Sequence, residues 1–373
     1  MEGRGKSKIL CSKCRLQLWV TPNAQTIRCQ SCRAITPVRA SNQLSLTHER
    51  SCQMQGSPVK HDCSAHHVFT SLLYNLTSIL DPNSSLPKKR ALLCGVSYKN
   101  MRKYRLKGSI NDVTSMKKVL IESFKFPVDS IRILSEEEND PGRCPTRKNI
   151  QNALRWLVDG CQSGDSLVFY FSGHGLRQPD FDNDELDGFD ETICPVDFRD
   201  EGMILDNELN KILVRPLPAG VTLHAIVDSC HSGTILDLPN VYDQKSNQWI
   251  DHSPPSKANK GTNGGLAISL SACEDNQQAA DTDAFQRKTM SGALTQAFIQ
   301  TIKTKPELTY YELLMSIHNA IEEAKKKGSL FNSHLLGKMF NRKIVQARFC
   351  LPFSDPQLSS SVQFDPKSTK FRL

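Results

Sequence analysis

The sequence predicts an α/β fold, a mostly parallel sheet with helices on both faces, preceded by a small metal-binding finger. Three observations predict it. Two apolar runs, Asp165–Phe171 (DSLVFYF) and Val221–Val227 (VTLHAIV), stop abruptly at turns of small and polar residues, as strands buried on both faces do. Around them, β-like runs alternate with stretches of helical period. Ahead of them stand two Cys-x-x-Cys pairs separated by fourteen residues.

The finger comes first, within residues 1–40. Cys11, Cys14, Cys29 and Cys32 offer four thiolates. Four thiolates close a tetrahedral zinc shell with no position left for a substrate, so the site is structural. A segment this short buries too little surface to fold alone, and zinc would supply its folding energy. Residues 41–88 are rich in Ser, Gln, His and Asn, and Pro82 and Pro87 follow their one helical stretch, Val68–Leu80. They read as a flexible linker. Cys52, His61, Cys63, His66 and His67 within it fit no regular zinc spacing.

The body, residues 89–373, alternates. Arg90–Tyr98 reads as a strand. Ile110–Phe124 reads as a helix, with Val113, Met116, Val119, Leu120 and Phe124 near a 3.6-residue period. Ile131–Leu134 is a strand. Thr146–Val158 is a helix with Thr146 as cap and Ile150, Leu154 and Leu157 on one face. The strand ending near His174, a helix over Asp206–Val214 and the strand ending near Cys230 follow. Pro239–Gly265 is polar and reads as a loop, too long to be idle in a compact domain. Leu266–Ser271 returns as a strand, and Gly292–Ile302 and Tyr310–Ala324 read as helices.

Chemistry in open parallel sheets sits beyond the carboxyl ends of the strands. Cys230, in Asp-Ser-Cys-His-Ser-Gly, and His174, in Ser-Gly-His-Gly, would leave their strands on that one edge. A lone Cys or His is more often a core residue. Paired at two strand ends, they are the minimum for a thiolate nucleophile with an acid–base partner. No Asn or Asp is evident as a third member, so a dyad is expected. Backbone N–H groups of Gly175 and Cys230 would hold the oxyanion. A phosphatase would need an Arg shortly after its Cys to hold the phosphate, and HSGTILDLP contains none.

From Arg90 to Leu373 the motifs GVSY, SINDV, SGHG, DELDGFDETICPVDF, ILDNELN, VRPLP, DSCHSGTILDLP and DPQLSSS follow in order. This set resembles the metacaspases, caspase-like cysteine proteases of plants, fungi and protists. CSKCRLQLWVTPNAQTIRCQSC is similar to the lesion-simulating-disease type of plant zinc finger: Arg15, Leu18, Ala24 and Ile27 match, and Asn23 stands where Gly is usual. Finger and body together resemble the plant type I group. The resemblance implies a caspase-like fold and a cysteine endopeptidase acting through His174 and Cys230. It implies an S1 pocket formed by Asp112, Ser172 and Asp228, whose carboxylates favour Lys or Arg at P1. It implies activating calcium held by Asp190, Asp206, Asn207 and Asp237. An enzyme that cuts after Lys or Arg is expected to cut its own Lys-bearing internal loop 236–265, at Lys245, Lys257 or Lys260, and the resemblance links the chain to programmed cell death. Two positions depart from the family: Ser109 replaces the usual Cys, and Asn207 the usual Asp. The acidic stretch Asp180–Asp190 does not follow the EF-hand register, so any calcium site is built from several loops.

The net charge of +8 is uneven: residues 1–60 hold ten Lys or Arg against two Glu, and the rest is balanced. A basic finger could meet an acidic protein or nucleic acid; the resemblance favours a protein partner. The thirteen cysteines, irregularly spaced outside the finger, argue for reduced thiols. No apolar run is long enough to span a membrane and no secretory signal is visible, so a cytosolic or nuclear monomer is expected. Two rival readings are an inactive protease-like scaffold and a nucleic-acid-binding finger.

Overall fold

The structure is a computed structural model that describes residues 7–13, 17–20, 24–29, 34–38, 88–182, 185–186, 188–230, 232–254, 256, 258–272, 293–323 and 356–373. Two antiparallel hairpins come first, β1 (Ser7–Leu10) with β2 (Gln17–Val20) and β3 (Thr26–Arg28) with β4 (Ile35–Pro37). Cys11 directly follows β1 and Cys29 directly follows β3. Ser12 N donates to Thr36 Oγ1 at 3.0 Å and ties the hairpins together. Cys14, Cys32, Asn23 and the linker up to residue 87 lie outside the described residues.

The body begins with β5 (Lys89–Gly95), α1 (Ser109–Glu122), β6 (Ile131–Ser135), α2 (Arg147–Val158) and β7 (Ser166–Ser172). Three short strands follow, β8 (Gly175–Pro179), β9 (Phe189–Ile193) and β10 (Ile204–Leu205), then the short helix α3 (Asp206–Leu209). Next come β11 (Thr222–Asp228), β12 (Asn240–Asp243), β13 (Gln248–Asp251), β14 (Leu266–Ser271) and α4 (Ala293–Thr304). A fifth helix, α5, occupies residues 310–323, and β15 (Gln357–Ser360) closes the sheet.

The main sheet has eight strands in the order β13-β12-β15-β14-β11-β7-β5-β6. From β14 to β6 all neighbours are parallel, and β15, β12 and β13 add antiparallel at the other side. Strand alternation divides the core between two faces. Leu93, Val168, Tyr170 and Ile226 meet α1 through Val113, Met116 and Leu120, and α4 through Leu294 and Phe298. Leu92, Phe169, Phe171, Ala225 and Val227 meet α2 through Ile150, Leu154 and Leu157. These strands are apolar at nearly every position because both faces are covered. Thr146 caps α2 as the sequence predicts, its hydroxyl accepting from Asn149 N at 3.3 Å. Among the described residues no helix is long and apolar enough to cross a membrane.

Three places differ from expectation. The loop read over 236–265 contains the β12–β13 hairpin, which pairs with β15. Val241 and Tyr242 are buried on it, and Asn247 takes the left-handed conformation at its turn (φ 56°). Its strands have four residues each and show no strict alternation of buried and exposed positions, so periodicity does not mark them. The acidic stretch after His174 connects β8 to β9, strands of a separate antiparallel sheet in the order β10-β9-β8. The helix expected over Asp206–Val214 is α3 running into a π-helical turn, Asn210–Val214, with Leu205 at its N-cap position.

One close approach in this core is directly testable. A Cβ on Gly95 would lie 2.7 Å from Val113 Cγ2 and 2.9 Å from Ser109 O, so α1 rests against the bare backbone of β5. Gly95→Ala is expected to destabilise the fold by about 1–3 kcal/mol, as overpacking does, measured by urea unfolding.

Candidate active site

Three parallel strands end in one row. Gly95 and Asp228 are both register partners of Ser172. Two residues beyond Ser172 and Asp228 stand His174 and Cys230, so the two leave neighbouring strands at the same height. Their turns touch: a Cβ on Gly175 would fall 2.0 Å from the Cys230 carbonyl oxygen, a space only glycine allows. Ser232 Oγ donates to Ser229 O at 2.9 Å and folds the turn that presents Cys230. Cys230 is half-buried and His174 is buried.

His174 is held from three sides. Its Nε2 lies 2.8 Å from the carbonyl oxygen of Tyr104. A carbonyl only accepts, so Nε2 carries the hydrogen and Nδ1 is left as the ring's acceptor. Its backbone N donates to Tyr98 Oη at 3.0 Å, and Tyr98 Oη donates to Cys194 O at 2.6 Å. The Tyr98 ring stacks on the imidazole, with centroids 4.8 Å apart. Burial pushes the His174 imidazole down to about 4, only partly offset by its bond to Tyr104. The ring is therefore neutral near pH 7 and can accept a proton.

Tyr98 is in turn fixed by an acid. The buried Glu136 carboxylate accepts from Tyr98 N at 2.7 Å, Lys99 N at 2.8 Å and Ser97 Oγ at 2.8 Å. These bonds secure a left-handed backbone at Tyr98 (φ 51°), a conformation that costs a bulky residue energy. Sequence reasoning named neither Tyr104, Tyr98 nor Glu136. Tyr98 lies in the GVSY motif, which was a signal. Tyr104 acts through a main-chain atom that no side-chain pattern reveals.

Beneath the strand ends lie the residues expected to form S1. Asp112, Ser172 and Asp228 are all buried, and Ser172 Oγ donates to Asp112 Oδ2 at 3.2 Å. Asp228 Oδ2 accepts from Thr295 N at 2.8 Å and Thr295 Oγ1 at 2.6 Å, a support from α4 that sequence reasoning missed. Burial, then the charge of Asp228, pushes the Asp112 carboxyl from 3.8 up to about 7, against the lowering effect of Ser172. Two acids packed this closely suit a cationic guest. Ser109, also buried, sits one turn before Asp112 on α1.

A second carboxylate cluster lies where β9, α3 and the turn after β11 meet. Ligand oxygens of Glu185, Asp190 and Asp206 fall within 4.8 Å of one another. Asp190 Oδ2 accepts from Gln178 Nε2 at 3.0 Å, and Asp206 Oδ2 from Glu191 N at 2.6 Å. Asn207 Oδ1 and an Asp237 oxygen both accept from the Lys260 ammonium. Asp237 has a left-handed backbone (φ 55°). Burial, then the charges of Asp237, Glu191, Asp190 and Glu185, push the Asp206 carboxyl well up. All four residues expected to bind calcium converge here, and Glu185 joins them. An all-oxygen, mostly carboxylate set fits a hard cation such as Ca²⁺. In the finger, buried Cys11 and Cys29 fit the zinc expectation as far as the described residues reach.

The family model described as "Metacaspase, peptidase C14 domain" matches residues 89–239. The chain is 44% identical over 322 residues to Metacaspase-1 of Arabidopsis thaliana, covering 85% of this chain and 83% of that protein. It is 40% identical over 369 residues to Metacaspase-3 of the same plant, covering 97% and 98% respectively. It is 37% identical over 302 residues to Metacaspase-1B of Aspergillus niger, covering 70% and 68%.

The Glu136–Tyr98–His174 connection has a measurable consequence. Glu136→Ala loosens the segment that carries Tyr98, and a misplaced catalytic group costs on the order of 100-fold in rate. In peptide hydrolysis kcat is expected to fall by about that factor while KM changes little. Glu136→Gln, which keeps one acceptor oxygen, is expected to recover part of the loss.

Proposed function

The chain belongs to the metacaspases, a family of cysteine endopeptidases, and on that premise we propose that it is a calcium-dependent endopeptidase cutting after Arg or Lys through Cys230 and His174. The observation that carries the specificity is the buried pair Asp112 and Asp228, directly below the strand ends that present the dyad. A guanidinium or ammonium entering there meets two acids, whereas an Asp at P1 would be repelled.

The tautomer that Tyr104 O imposes on His174 supports the following reaction. As the Cys230 sulfur attacks the scissile carbonyl, its proton passes to Nδ1 of His174. The oxyanion is met by the backbone N–H groups of Gly175 and Cys230. The imidazolium then returns its proton to the leaving amine, and the acyl-enzyme thioester remains. Water, losing its proton to His174, hydrolyses that thioester and frees the thiol. Tyr104 O and the Tyr98 ring hold the imidazole in one orientation throughout.

Asp190, Asp206, Asn207 and Asp237 would hold calcium, which would neutralise the cluster and join the loops that flank the dyad. Cys11, Cys14, Cys29 and Cys32 would hold zinc as the structural centre of a finger that binds a protein partner. Self-cleavage at a lysine of the segment after Cys230, an intracellular setting in the cytosol or nucleus, a monomeric state and a role in programmed cell death complete the reading.

The test uses matched peptide substrates ending in Arg or in neutral citrulline. Arg is expected to be preferred by at least about 100-fold, the scale of leaving a buried charge without its partner. Asp112 must ionise to receive the cation, so kcat/KM for the Arg substrate is expected to rise with pH through about 7. Asp112→Asn is expected to remove that limb and most of the preference. Cys230→Ala is expected to abolish turnover. Equal rates for the two substrates would refute the specificity.

A further inference from the structure

Lys260 lies between β13 and β14, and only 4% of its surface is exposed. Lysine is almost never buried this deeply unless it is paired. Its ammonium donates to Asn207 Oδ1 at 2.7 Å and to an Asp237 carboxylate oxygen, and lies 3.7 Å from Glu185 Oε1. The main chain that delivers it is fixed as well. Asn210 Nδ2 donates at 2.9 Å both to Lys260 O and to Leu236 O, beside Asp237. The ammonium therefore touches two of the four residues assigned to calcium and approaches Glu185, which groups with the other two.

Two cations cannot share these oxygens. Calcium takes about six to eight oxygen ligands at roughly 2.3–2.6 Å, and an ammonium hydrogen-bonded to Asn207 and Asp237 occupies that space. We propose that Lys260 is the resident counter-cation of this carboxylate cluster, and that a divalent cation binds by displacing it, taking Glu185 as an additional oxygen ligand. The proposal rests on the calcium reading given above and adds its regulation. Without the ion, Lys260 and Arg177 are set against Glu185, Asp190, Glu191, Asp206 and Asp237, with Arg177 Nε donating to Glu191 Oε1 at 2.8 Å. Exchanging one ammonium for a divalent ion adds a positive charge where negative charge is in excess.

The displaced side chain has a place to go. A cleft of about 470 Å³, bordered by Glu185, Asp237, Tyr242, Ile250 and Lys260 itself, opens beside the cluster. Moving into it, the lysine becomes a cationic side chain on an accessible segment, the chemistry proposed for P1. Lys245, on the β12–β13 turn, is exposed already, and Lys257 lies outside the described residues. Lys260 is thus shielded from cleavage until the ion binds.

The test uses the full chain with Cys230→Ala, which cannot cut itself, titrated with calcium chloride by calorimetry beside the same chain carrying Lys260→Met. If the ammonium is docked in all but about one molecule in ten, it raises the apparent Kd about tenfold. Lys260→Met is therefore expected to bind calcium about tenfold more tightly. A second measurement keeps Lys260 in place: digestion of the Cys230→Ala chain by a lysine-specific endoproteinase, followed by mass spectrometry. Cleavage after Lys260 is expected to quicken at least about tenfold with calcium on the same scale, while cleavage after Lys245 stays constant. A Lys260→Met chain that folds only with calcium would also support the proposal. Equal calcium affinities, or cleavage after Lys260 indifferent to calcium, overturn the displacement and leave the calcium site standing. No calcium binding in either chain overturns both.

Discussion

The in-register pairing of β7 with β11 is the constraint on which the site depends. Ser172 opposes Asp228, and each strand then gives way to a turn two residues before its reactive side chain. A slip of one residue would send every core side chain to the wrong face, so the packing of Phe169, Phe171, Ala225 and Val227 fixes the height of Cys230 against His174. Precision at the site comes from burial of the sheet. β5 extends the argument, since Gly95 joins the same row and leads into the segment that carries Tyr98.

The second theme is concentrated negative charge. Near pH 7 the histidine is neutral because it is buried, and the acids around the site carry the unsatisfied electrostatics. Asp112 and Asp228 are two buried acids at and beneath the strand ends that carry the dyad. Glu185, Asp190, Asp206 and Asp237 form a second acidic group beside it. Glu136 is the contrast: its carboxylate is met by backbone N–H groups, so its charge is used locally to shape a loop. The other acids also accept hydrogen bonds, but they lie against one another, whereas Glu136 shapes a loop through backbone donors together with Ser97 Oγ.

Much of this could be read from residues alone. The buried strands, the capped helix from Thr146 and the Cys230–His174 edge follow from local pattern, whereas the grouping of Asp112, Ser172 and Asp228 came only through the family resemblance. What escaped was set by tertiary contact. The Tyr104 carbonyl orients His174 through an atom that every residue possesses. Thr295 reaches Asp228 from a helix 67 residues away. Lys260 reads in sequence as one loop lysine among three, and only the fold shows its ammonium among carboxylates. The β12–β13 hairpin was hidden because its strands have four residues each and its surroundings are polar.

The strand order carries one more consequence. Were the chain broken between β13 and β14, the first fragment would own β13, β12, β11, β7, β5 and β6, and the second β14 and β15. The second fragment's two strands lie side by side with first-fragment strands on both flanks, β12 against β15 and β11 against β14. Pulling the fragments apart would tear two hydrogen-bonded ladders at once and open both faces of the core. A nicked molecule therefore stays interleaved as a single body, and its two pieces would travel together until denaturant separates them.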